Sequence, residues 1–205
     1  MTKRTSNLDN KARLKAVRRF ATACCYEKGH SEQVTRLAEM LFDGLRPLHG
    51  LDETARFWLT CAGILHDIGW IDGQKGHHKQ SMRMILDDRT LPLTPDERAA
   101  IALVARYHRK ALPKPTHTVY TDLPEDRKSV VDKLAAILRL ADGLDRSHTD
   151  AVEEIEVTLE VEQIHLVCHT HGPAEDELHF GKTKADLLEQ VFGRDVKLSK
   201  TLIKP

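Results

Sequence analysis

The 205-residue chain is 40% hydrophobic, enough for one proper core, and no apolar run approaches the roughly 20 residues of a membrane span. Lys+Arg 31 balances Asp+Glu 31, so no global field recruits nucleic acid or an anionic membrane. The opening Met1 to Asn7 lacks the apolar core of a signal peptide, and Cys24, Cys25, Cys61 and Cys168 have no CxxC spacing, so free thiols in a cytoplasmic protein are expected. The departure from average is histidine, 12 residues against 5% aromatics. Histidine is the commonest metal ligand, and position decides whether it acts as one here.

The spacing predicts a first helix from Asn7 to about Lys28, with Leu14, Val17, Ala21 and Cys24 inward. A second opens at Gly29-His30-Ser31 and runs through Val34, Leu37, Ala38, Leu41, Phe42 and Leu45. His30 falls on that apolar stripe, yet taken alone it reads as an exposed helix-start histidine with Ser31 near the cap. Asp52 and Glu53 start a third helix with Phe57, Cys61, Ile64 and Leu65 buried, and Gly69 stops it. His66-Asp67 lies in its last turn. A buried carboxylate needs a partner, and imidazole with carboxylate suits a first-row divalent metal.

Gly73 to Ser81 reads as a glycine-punctuated loop carrying His77, His78 and Lys79, followed by a short helix from Met82 to Leu86. Thr94 is the expected N-cap of the next helix, with Pro95 at its first position. That helix carries Ile101, Val104, His108 and Leu112 on one face, so His108 interrupts an apolar stripe beside Arg106, Arg109 and Lys110. Pro113, Pro115 and Pro124 break up the loop beyond. From Ser129 to about Asp145 a strong helix places Val131, Leu134, Leu138 and Ala141 inward, and Asp142 and Asp145 share that face. A salt bridge from Arg139 or Arg146 would satisfy them, as would a metal.

Past Asp150 the period changes to two. Ile155, Val157, Leu159 and Val161 alternate with polar residues, and Ile164, Leu166 and Cys168 continue after a turn near Glu162-Gln163, which gives a hairpin. Lys184 to Phe192 reads as a short helix and Val196 to Leu198 as a last strand. His165, His169, His171 and His179 are expected to face solvent. The expected fold is mainly α, a helical domain over residues 1–150 with a small α+β extension over 151–205 packed on it.

Separate helices thus offer His30, His66-Asp67, His108 and Asp142 inward, with the histidine loop alongside. Satisfying each buried polar group separately is harder than satisfying them together at one metal centre. The order His30, His66-Asp67, Asp142 resembles the H…HD…D signature of the HD superfamily of metal-dependent phosphohydrolases. The added His77 and His108 resemble its six-ligand variant, which holds two metals. His77 stands four residues before Ser81, as that variant requires, and His78 does not.

A closer resemblance covers roughly Gly29 to the C-terminus. Gly29-His30-Ser31-Glu32-Gln33-Val34, Leu65-His66-Asp67-Ile68-Gly69-Trp70, Gly76-His77-His78-Lys79, Ala105-Arg106-Tyr107-His108-Arg109-Lys110 and Leu140-Ala141-Asp142-Gly143-Leu144-Asp145-Arg146-Ser147-His148 are similar to the C-terminal HD-like region of the exopolyphosphatase/guanosine pentaphosphatase (Ppx/GppA) family. That family's phosphatase chemistry belongs to actin-like domains with glycine-rich phosphate loops, and nothing in this sequence resembles them.

The resemblance implies an HD-type helical bundle and two divalent ions (Mn, Fe, Zn or Mg), with the His-rich set arguing against Mg alone. It implies His30, His66, Asp67, His77, His108 and Asp142 as ligands, with His66 and Asp67 at the heart of catalysis. Lys79, Arg109, Arg146 and His78 are the expected substrate contacts. Asp145 is expected behind a ligand histidine, or in a salt bridge with a neighbouring arginine. The implied partner is a nucleotide, another phosphorylated small molecule or polyphosphate, with no specific nucleic-acid signal and a homodimer left open. Two readings follow, a binuclear phosphohydrolase and a non-catalytic module binding polyphosphate, nucleotide or a protein.

Overall fold

The computed structural model describes residues 9–73 and 75–203. The opening heptapeptide and the expected helix start at Asn7 lie outside them. The chain runs α1 (Asn10–Ala23), α2 (Lys28–Gly44), α3 (Arg46–His49), α4 (Glu53–Leu65), a 3-10 helix (Ile68–Asp72), α5 (His77–Asp87), α6 (Pro95–Tyr107), α7 (Thr118–Thr121), α8 (Glu125–Gly143), β1 (Val152–Leu159), β2 (Gln163–Thr170), α9 (Glu175–Lys184), α10 (Asp186–Phe192) and β3 (Asp195–Leu202). It is mainly α with a small three-stranded sheet towards the C-terminus.

The helices begin where their caps stand. Asp9 accepts from Ala12 N at 2.7 Å and Asp52 from Ala55 N at 3.0 Å. Thr94 and Glu97 close a full capping box around Pro95. α2 packs on α4 and α8, α4 on α6, and α6 on α8, while α5 lies on α6 and on the 3-10 helix. Their shared core is the expected apolar set: Val34, Leu37, Leu41 and Phe42 from α2, Cys61, Ile64 and Leu65 from α4, and Val131, Leu134 and Leu138 from α8, all fully buried.

Three local expectations are corrected. Gly69 does not stop α4, which ends at Leu65, and the chain continues as a 3-10 helix that includes Gly69. A Cβ at Gly69 would strike His77 O and lie 2.6 Å from Ser81 N, so this glycine serves close packing of the 3-10 helix on α5. His77 and His78 are not loop residues: they open α5, which begins five residues before the expected Met82. The helix bearing His108 ends at Tyr107, leaving Leu112 beyond it.

In the sheet β1 pairs antiparallel with β2, as the hairpin reading requires, and β3 pairs parallel with β2. A parallel return needs a crossover, and α9 and α10 supply it. Only the second of these was expected. α9 lies along the end of α8, and β1 packs on α2.

Candidate metal centre

His66 and His108 occupy the C-caps of α4 and α6. Each turns its ring back on its own helix: His66 Nδ1 donates to Gly63 O and His108 Nδ1 to Ala105 O, both at 2.7 Å. The imidazole satisfies a carbonyl that the helix end leaves without a partner, and the same bond aims Nε2 away from the helix. His30, in the first turn of α2, meets the same condition through Asp145, whose Oδ2 lies 2.8 Å from His30 Nδ1. Three imidazoles from three helices are thus oriented by their Nδ1 and present Nε2 to a common point.

Around that point two groups of three could each hold a metal ion, His30 with His66 and Asp142, and Asp67 with His77 and His108. Asp142 Oδ1 is 3.3 Å from His30 Nε2 and 3.8 Å from His66 Nε2. Asp67 stands between the groups. Its Oδ2 lies 3.6 Å from His66 Nε2 and 3.9 Å from His30 Nε2, and its Oδ1 lies 3.1 Å from His77 Nε2 and 3.4 Å from His108 Nε2. Oδ1 is buried, and although the two imidazole nitrogens are near, no hydrogen bond of proper geometry reaches it among the described residues. His30 Nε2 and His66 Nε2 face each other at 3.4 Å. A buried acceptor without a donor, next to nitrogen atoms turned toward one another, is the arrangement a shared cation would satisfy. The donor set, imidazole nitrogen with carboxylate oxygen, fits a first-row divalent ion.

The electrostatics are strongly polarised. Burial works against a charged His30, but hydrogen bonds to Asp142 and Asp145, with the charge of Asp67, raise it to about 10. Burial also opposes charge on Asp67, yet the facing imidazoles of His66 and His77 hold it well below the carboxylate range. Asp142 is likewise held low against burial, chiefly by Lys184 and by the bond from His30. His108 goes the other way, pushed down by burial to about 3, and stays neutral at pH 7.

The family model described as Ppx/GppA phosphatase, domain III, matches residues 12–187. The chain belongs to that family. Comparison with curated proteins yields no match. No helix of the described residues is long and apolar enough to cross a membrane.

In this Ppx/GppA domain III chain the structure brings together His30, His66, Asp67, His77, His108 and Asp142, with Asp145 directly behind His30. Arg109 and Arg146 line the cavity over them, about 290 Å³, and Arg109 Nη1 lies 3.2 Å from His77 Nε2. Lys79 is not among the residues lining that cavity; it borders a separate cleft with Arg106 and His117. His78 is buried and meets His77 and His108 edge-on, outside the cavity wall, and burial lowers its imidazole to about 4. Of the two arginines considered for the acidic pair, Arg139 is engaged by Asp186 at 2.7 and 3.0 Å and Arg146 lies over the Phe180 ring.

Four cavity residues were absent from the expected set: Trp70, His148, Phe180 and Lys184. Trp70 donates from Nε1 to Asp67 Oδ2 at 3.1 Å and stacks on His77 with ring centroids 4.9 Å apart. His148 stacks flat on His30 at 3.9 Å from a left-handed backbone, φ 56°. Both stand inside stretches the sequence had already singled out. Phe180 and Lys184 come from α9, which was not expected: Lys184 ends this helix rather than opening the next.

Proposed function

We propose that this chain is a metal-dependent phosphohydrolase of the HD type, cleaving a phosphoester or phosphoanhydride of a nucleotide or polyphosphate-like substrate. The observation that carries the reading is the convergence of Nε2 atoms from separately oriented histidines on Asp67 and Asp142. His30, His66 and Asp142 would hold one divalent ion, His77 and His108 a second, with Asp67 between. Such ions supply Lewis acidity toward a phosphoryl oxygen and activation of water. Mn, Fe or Zn suits the histidine content better than Mg alone.

The chain's own groups do the rest. Asp145 keeps the His30 ring in register, and the two helix-end bonds do the same for His66 and His108. Trp70 fixes Asp67 through its Oδ2. Arg109 and Arg146 supply fixed positive charge to a phosphate in the cavity. Lys79 and His78 would act on substrate only beyond the cavity wall.

The second reading, a binding module without turnover, draws on one observation. Arg109 already meets His77 Nε2, and Lys184 already meets Asp142, so the chain's own cations partly satisfy these groups.

The deciding experiment measures bound metal on the purified protein, then screens nucleotides, polyphosphate and generic phosphoesters with wild type, His66→Ala and Asp67→Ala. Turnover that falls at least about 100-fold in both variants is expected. Metal uptake with no turnover on any substrate would select the module.

A further inference from the structure

Among the described residues, Lys184, the last residue of α9, is the cation of the cavity whose partner is itself a carboxylate of the centre. Its Nζ contacts Asp142 Oδ2, while Asp142 Oδ1 is turned to His30 and His66. The two oxygens of one carboxylate are therefore divided, one to the lysine and one to the imidazoles.

Backbone packing puts Lys184 there. α9 approaches the end of α8 so closely that a Cβ at Gly143 would come 2.8 Å from Phe180 O and 2.9 Å from Gly181 Cα. Gly143 adjoins Asp142, and Lys184 is three residues past Gly181 on the same helix. A close contact between two helix backbones thus fixes the base of the lysine side chain relative to Asp142. The side chain is about one-fifth exposed and lines the cavity.

Charge makes the arrangement more than a salt bridge. The cavity wall carries the carboxylates Asp67 and Asp142 and the cations Arg109, Arg146 and Lys184. Asp145 lies behind His30, and with His30 neutral, as a metal ligand must be, it brings the local balance to about zero. Any divalent ion tips it positive, and the favoured filling is then an anion. Arg146 lies over the Phe180 ring, 4.9 Å from its centroid, and Arg109 is directed at His77. An ammonium has three hydrogens, and Asp142 Oδ2 uses one.

We propose that Lys184, held at the cavity wall by its contact with Asp142 Oδ2, binds the phosphoryl group that enters the cavity. This rests on the reading of the site given under Proposed function. It also gives the C-terminal part of the chain a direct share in the centre.

The test uses the full chain, Mn²⁺ and inorganic phosphate, followed by titration calorimetry. Lys184→Met keeps the apolar stem and removes the charge, and Lys184→Gln serves as the second variant. Expected are unchanged Mn²⁺ stoichiometry, Mn²⁺ affinity equal to or tighter than wild type, and phosphate binding to the Mn²⁺-loaded protein weakened about 10- to 100-fold. Phosphate affinity within twofold of wild type in either folded variant would overturn the proposal, and so would loss of the fold in both. A wild type that takes up none of Mn²⁺, Fe²⁺ and Zn²⁺ would instead remove the hydrolase reading itself.

Discussion

His30 is enclosed by carboxylates on two sides, Asp145 at Nδ1 and Asp142 at Nε2. Its imidazole is raised from the ordinary 6.5 to about 10, so it stabilises the metal-free fold fully below pH 6.5, and that contribution fades as pH rises through about 10. In chelator-treated protein, unfolding free energy should therefore decline over that window by roughly 2–5 kcal/mol more in wild type than in His30→Gln. Parallel pH curves for the two proteins would contradict it. Asp145 makes a separate prediction. In Asp145→Asn the amide oxygen still accepts the His30 Nδ1–H, so the fold should persist, but the charge that makes the imidazole a stronger donor is gone. Metal affinity should fall by roughly 10- to 100-fold, read by calorimetric titration. An unchanged affinity would show that Asp145 has no hold on the ligand. Asp145 is legible in the sequence because a buried carboxylate is costly and stands out against an apolar stripe, whereas His30 by itself reads as an exposed helix start. Their pairing is not legible, since Asp145 and His30 are 115 positions apart.

The helix ends are where elements become chemistry. α4 and α6 each stop at a histidine that bonds the third carbonyl back, so the residue that ends the helix is also the one that faces the centre. The 3-10 helix after Asp67 folds onto α5 through Gly69, whose N–H donates to the buried Ser81 Oγ at 2.9 Å. That contact carries the start of α5, and with it His77, to Asp67. Gly69→Ala would force a methyl group into the His77 carbonyl and the Ser81 amide, neither of which can yield without moving α5. A loss of about 1–3 kcal/mol in denaturant unfolding is expected, with weaker metal binding than the stability change alone accounts for. A neutral effect on both would mean the two helices tolerate separation. The two glycines that predict a loop do turn the chain, with φ of 101° at Gly73 and 83° at Gly76, but Gly76 is the N-cap of α5, so the helix starts at His77 directly after the turn.

Across the whole molecule the helical part and the C-terminal α+β part are joined by buried and half-buried polar links. Gln33 Nε2 donates to Val152 O at 2.7 Å, Glu177, itself buried, accepts from Ser147 N at 3.0 Å, and Arg139 clasps Asp186. We propose that the change of architecture near residue 150 does not separate two independently melting units. Scanning calorimetry of the full chain should then show one endotherm, with calorimetric and van't Hoff enthalpies equal; two resolved transitions would refute it. Among the described residues Cys24, Cys25, Cys61 and Cys168 are all free thiols, so reductant should leave that endotherm in place. The sequence by itself determined the helical class, the change to strand period after Asp150 and, from apolar helix faces, the inward His66, His108, Asp142 and Asp145. It could do so because periodicity and the cost of polar burial are local properties of a chain. Only the tertiary structure decided that Lys184 and Phe180 of α9 line the same cavity as Asp142, and that β3 returns parallel to β2. Those depend on which backbone surfaces fit together over long separations, and no local pattern encodes that.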